Sequence, residues 1–223
     1  MRFATRLSAL ALAAAGMVAA AGAQAQSMDV RVTGTVTPPA CVPTLAGGGV
    51  VDYGRIDARS LNRTEPTILS EKEFPFSIAC QGSTRVWVRT FDNREASRVS
   101  GIVSALGSVY TNYQNFGLGA VGDTNVGGYV IRFKQDTFTA DGADVRTVHT
   151  GLSGSGWFLN LEGGALQNLP QYRVSWSTSF NPIAFSNLAG TLSVTPVLVR
   201  SDALPLQDEV PLDGLVTLEM VYP

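Results

Sequence analysis

The chain has 223 residues, with 18 acidic against 16 basic side chains, one histidine and two cysteines. This slightly negative balance, without any basic run, argues against a nucleic acid or an anionic membrane surface as partner, since both are held by clustered Lys and Arg. One histidine and two cysteines are a poor ligand set for zinc, and the length suits a single domain with a sizeable core.

The first element is a leader. Arg2 and Arg6 form a positive n-region, residues 7–21 are a short Leu/Ala/Val run, and Ala23-Gln-Ala25 is a small-residue cleavage signal. The run falls short of the ~20 apolar residues needed to span a bilayer, so removal after Ala25 and export are expected. Cleavage takes the basic count from 16 to 14 against 18 acidic residues, moving the formal charge from −2 to −4.

Residues 29–41 come next. Val30, Val32, Gly34 and Val36 alternate with Asp29, Arg31, Thr33, Thr35 and Thr37, the period-2 pattern of a strand with one buried face. Pro38 and Pro39 stop it, because neither can donate to a ladder. A strand cut off in this way has no obvious partner in its own domain, which points to pairing with another molecule. Gly34 also reads as a generic strand glycine or a bulge.

Cys41 and Cys80 form one candidate bridge, as expected of two cysteines in an exported chain. The loop of about 40 residues would be worth about 4 kcal/mol in the chain-entropy model. Strands are expected at 74–80, 85–91, 128–133, 145–150, 171–180, 190–199 and 214–223, separated by polar turns. Only 100–106 and the stretch near 184–188 read as able to hold a helical turn. The segments 101–128 and 151–169 read as long Gly-rich loops. The 23 glycines and the strand spacing fit an all-β sandwich.

Catalysis finds little support. His149 reads as an exposed strand polar, and no Gly-x-Ser-x-Gly elbow exists to pair with it. The acidic residues near 122–123 and 141–144 lack the density of a calcium cage. No carboxylate pair is marked for glycoside chemistry. No enzyme activity, metal or cofactor is expected. Trp87 and Trp176 read as core or sheet-face residues, and Trp157, in a Gly/Ser-rich stretch, as a candidate surface contact. The sequon at Asn62 reads as coincidental behind a bacterial-type leader.

With these motifs in view, the chain resembles the chaperone–usher fimbrial subunits (pilins), and among them a fimbria-associated branch. The resemblance rests on V-x-V-x-G-x-V ahead of Cys41, on Gly48-Gly-Val-Val-Asp-Tyr-Gly54, and on Phe76-Ser-Ile-Ala-Cys80. The late Gly190-Thr-Leu-Ser-Val stretch and the terminal 213–222 segment complete it. One departure stands out: the family's glycine near the C-terminus falls at Val210 here, the nearest being Gly214. The resemblance implies an Ig-like, pilin-type β-sandwich lacking its last strand and completed by donor-strand pairing. Its domains would be a signal peptide (1–25), a donor-strand extension (26–37) and the sandwich (38–223).

It further implies a structural fimbrial subunit that meets a periplasmic chaperone, an outer-membrane usher and neighbouring subunits on its way to the cell surface. Val30, Val32, Gly34 and Val36 would enter a neighbour's groove, with Gly34 at a shallow point. Val216, Leu218, Met220 and Tyr222 would border the groove and be read by the chaperone, or simply form a final core strand. The alternative is a minor or tip-associated subunit acting in adhesion. A two-domain adhesin, however, would carry an N-terminal lectin domain and no donor strand. A periplasmic chaperone, the third class, would rarely open on a Pro-terminated extension.

Overall fold

The computed structural model describes residues 28–36, 40–160 and 163–223. The leader, Thr37 and the two prolines lie outside them. The chain divides into residues 1–37 and residues 38–223, each taken by itself. In the first, residues 28–36 form no strand, and Val30, Val32 and Val36 are 85%, 93% and 99% exposed.

The second unit is built from antiparallel strands and short 3₁₀ turns, with no α-helix among the described residues. The strands are β1 (Cys41–Leu45), β2 (Thr67–Ile68), β3 (Lys72–Thr84), β4 (Trp87–Asp92) and β5 (Phe116–Gly117). Next come β6 (Ala120–Val121), β7 (Thr124–Asn125), β8 (Gly127–Phe133), β9 (Thr139–Ala140) and β10 (Ala143–Asp144). The last are β11 (Arg146–Thr150), β12 (Trp157–Leu159), β13 (Val174–Ser177), β14 (Phe185–Leu198) and β15 (Val216–Val221). One large sheet runs β1-β3-β14-β8-β5, with β2, β9 and β10 attached at its margin; the other large sheet runs β12-β11-β13-β4-β15, and β6 and β7 pair as a separate two-stranded sheet.

The two large sheets face each other across an aromatic core. Trp176 of β13 has no exposed surface, and its ring lies 6.1 Å from Phe76 of β3, 5.2 Å from Phe133 of β8 and 5.6 Å from Phe138. Such side chains each remove a large apolar area from water, which is the main favourable term in holding two sheets together. Gly190 matters here because an added Cβ would collide with the Phe138 ring. Only a residue without a side chain lets that ring lie against β14.

The segment expected as a Gly-rich loop over 101–128 is ordered by a second, smaller core. Its 3₁₀ turn Ile102–Leu106 carries Ile102 and Val103 onto Val130 and Val197, on the opposite face of the first sheet. The 151–169 loop likewise contains strand β12. The expected helical turn near 184–188 is absent. Phe185 already begins β14, and a register shift between Phe185 and Asn187 takes up the irregularity. Asp141 fixes that bend by accepting from the Ser186 and Asn187 amides.

Candidate functional site: a cleft between two open strand edges

β1 and β15 are each the last strand of their sheet, hydrogen-bonded to β3 and β4 respectively on one side only. β1 cannot continue past Leu45, because Gly47 and Gly48 of the turn Ala46–Gly49 take left-handed φ of 66° and turn the chain. Residues 50–57 then run without a ladder. On the facing side, residues 207–212 also lack a ladder before β15 begins.

Between these two walls lies a cleft in two connected parts, of about 190 and 910 Å³, sharing Val51, Tyr53 and Leu212. Its floor is the inner face of β14 and β8: Leu192, Val194, Pro196 and Leu198 step along β14 at every second residue, beside Ile131 and Tyr129. Its walls are half-buried apolar side chains packed against the main core, among them Val51, Val210, Leu212, Val216 and Leu218. A row of apolar groups flanked by unpaired backbone is an edge that ordinary β-proteins cover or charge.

Tyr53 reaches from the wall to the floor, donating its hydroxyl to the Ser70 and Val194 carbonyls at 3.0 and 3.1 Å. Burial, helped by the charge of Glu71, pushes its phenol up to about 12, so it stays a neutral donor. Lys72 lies over its ring, 4.8 Å from the centroid. On the opposite wall Gly214 abuts Tyr129, whose ring would stand 2.7 Å from an added Cβ. Burial and then the Asp92 carboxylate hold the Tyr129 phenol well above its usual value.

Charge pins the β15 wall. Arg94 holds Asp213 through two hydrogen bonds of 2.9 and 3.0 Å, and Arg89 holds Glu219 across the β4–β15 ladder. Both carboxyls are lowered from their ordinary values, chiefly by the hydrogen bonds from those arginines. The Arg55–Glu209 pair across the wider part is 92% and 88% exposed on its two sides, and contributes little.

The expected residues fall as follows. Val216, Leu218 and Met220 alternate on the inner face of β15, opposite Asp92, Thr90 and Val88 of β4. Tyr222 stands just past the strand, 41% exposed, and accepts from the Cys41 amide. Cys41 and Cys80 form the disulfide, in direct register between β1 and β3. Val30, Val32, Gly34 and Val36 lie in the first unit, and an added Cβ at Gly34 would have open space around it.

Sequence reasoning missed the second wall. The alternation of Val51 with Tyr53, and of Val210 with Leu212, was the available signal. His149 is not the exposed polar expected of it. It is half-buried and stacks on the buried Tyr172, with ring centroids 5.1 Å apart.

Among the described residues no group of three His, Cys, Asp or Glu stands close enough to hold a metal ion. No described helix is long and apolar enough to cross a membrane.

Comparison with known proteins places relatives beside this geometry. A family model described as "Protein of unknown function (DUF1120)" matches residues 30–130, from the alternating extension through both cysteines to β8. Protein GltF of Escherichia coli K12 is 28% identical over 256 residues, covering 100% of both chains. Uncharacterized protein YhcF of the same organism is 23% identical over 229 residues, covering 92% of this chain and 93% of its own. The chain is similar to these proteins along nearly its whole length.

Proposed function

We propose that the cleft accepts a β-strand from another molecule and that residues 28–36 are the strand this chain donates in turn. The protein then acts as a structural subunit of a cell-surface fimbria, a pilin-type Ig-like sandwich short of one strand. In the periplasm a chaperone fills the cleft until an outer-membrane usher presents a neighbour's extension. The carrying observation is the pair of facing walls, each open along one edge and lined by half-buried apolar side chains, over a floor of apolar residues of β14 and β8. An inserted strand supplies the missing backbone partners and covers that row, which is recognition by β-strand addition.

The spacing supports a register. Every ladder among the described residues is antiparallel, and a donor laid antiparallel to β15 would advance along β14. Val30 then meets Leu192 and Phe74, and Val32 meets Val194 and Ile131. Gly34 arrives at Pro196, beside Tyr53 and Tyr129, where the residue without a side chain is the one that fits. Val36 reaches Leu198 and Val126. Each valine fully buried in this way contributes roughly 1.5–3 kcal/mol.

The test is complementation in trans. A chain lacking residues 26–37 is refolded with or without a synthetic peptide of residues 26–38. A stoichiometric complex with a raised unfolding temperature is expected. A deletion chain that is already fully stable and takes up no peptide would refute the reading.

A further inference from the structure

The second sheet has another face, turned away from the core and from the cleft. The register sets its residues: Trp157 of β12 opposes Thr150 of β11, and Thr150 exchanges hydrogen bonds with Arg173. Trp87 and Arg89 of β4 oppose Val221 and Glu219 of β15. On this face the Trp87 and Trp157 rings stand 5.5 Å apart at 55°, and the Arg173 guanidinium lies over Trp87, 5.4 Å from its centroid.

Three features mark this cluster, and the last of them leaves room for a group from outside the chain. Trp87 Nε1 is buried without an acceptor. Arg173 Nε, on the same face, is also buried without one. Buried donors are nearly always satisfied, and a buried indole N–H usually finds an acceptor. Arg173 also has no carboxylate within ion-pair distance among the described residues, whereas Arg89 beside it holds Glu219. With Arg146, this face carries three arginines against one glutamate in a chain of net negative charge.

We propose that this face binds a saccharide that carries a carboxylate, a uronic-acid-type pyranose. The C–H face of such a ring can pack on the exposed part of one indole with the other at its edge, and its carboxylate can meet the Nη pair of Arg173, the buried Trp87 and Arg173 nitrogens lying behind these groups. An apolar face joined to an anionic edge is the combination that the cluster lacks. The site is independent of the cleft and stands whether or not the cleft takes a strand.

The test follows the indole N–H resonances of the complete exported protein during titration with an oligogalacturonate, its methyl ester and an acidic peptide. The oligogalacturonate is expected to shift Trp87 and Trp157 but not the core Trp176. Esterification and Arg173→Gln should each weaken binding by about tenfold or more, the worth of a hydrogen bond to a charged group. If Arg173→Gln lowers the unfolding temperature, Arg173→Lys makes the same discrimination, since it keeps the charge and loses the fork. Absence of indole shifts, equal binding of acid and ester, or unchanged affinity in Arg173→Lys overturns the proposal. Tighter binding of the acidic peptide overturns it in favour of a protein partner.

Discussion

The backbone N–H of Cys41 donates to the phenolic oxygen of Tyr222 at 3.1 Å, joining residues 181 positions apart. Cys41 opens β1 and Tyr222 follows β15, so this bond ties the two open-edged strands together at one end of the cleft. The disulfide ties the same residue to β3. One wall is therefore held covalently to the floor sheet, and the other is held to that wall through a side chain.

The bridge and the tyrosine should separate in a stability measurement. Replacing both cysteines with serine should cost about 4 kcal/mol, the loop-closure value for the 39-residue separation. Tyr222→Phe removes one part-buried hydrogen bond and should cost about 1 kcal/mol. Urea unfolding of the two variants reads the difference. A Tyr222→Phe loss as large as that of the cysteine variant would mean that the tyrosine, rather than the bridge, organises this end.

Acid should loosen the β15 wall before it unfolds the core. The Asp213 and Glu219 carboxyls are lowered in the folded protein by their bonds to Arg94 and Arg89. Their contribution is fully present above the unfolded values of 3.8 and 4.5, and is lost as pH falls through the lower folded values. Both groups are solvent-exposed, so the effect is screened and modest. Amide exchange in residues 213–221 should therefore rise below about pH 4.5 while the Trp176 environment stays unchanged. Arg94→Gln should remove the Asp213 part at every pH. Simultaneous loss of the wall and the core would contradict this order.

The core and the cleft should respond to opposite kinds of substitution. Trp176→Ala empties a site with no exposed surface, and should cost about 3–5 kcal/mol whatever fills the cleft. Leu218 is only half-buried, so Leu218→Asp should leave the isolated domain folded and abolish strand uptake, since a charge in an apolar slot goes unpaired. Calorimetry paired with peptide capture distinguishes the two. Undiminished capture by Leu218→Asp would remove β15 from the acceptor surface.

How much of this was legible in the sequence depended on how regular each pattern was. The strands at 128–133, 145–150 and 190–199 were visible because their apolar residues run unbroken or alternate between turn residues, and they appear within a few positions. The strand expected over 171–180 shrinks to Val174–Ser177, because Ser177 turns back to bond Asn181 and ends the ladder. The order in 101–128 was not legible. It arises from Val130 and Val197, on the face of the sheet opposite the main core, and no local pattern announces a second layer. In the site, β15 was readable from its own alternation. Tyr53 was not, since its place between the walls depends on a carbonyl 141 residues away.

The donor-strand proposal makes its sharpest demand on residues 30–36, where damage should alternate. Val32→Asp in the 26–38 peptide should prevent capture, because it brings a charge to the Val194 and Ile131 step at a cost of several kcal/mol. Gly34→Leu should prevent it by overpacking against Tyr53 and Tyr129, and pairing it with Tyr53→Ala in the acceptor should restore part of the affinity. Thr33→Ser and Thr35→Ser, on the opposite face of the same strand, should be nearly silent. Competition against the unmodified peptide gives each variant's relative affinity. Equal tolerance at odd and even positions would mean that the segment is not read as a strand. Rescue of Gly34→Leu by a change far from Tyr53 would shift the register while leaving strand addition in place.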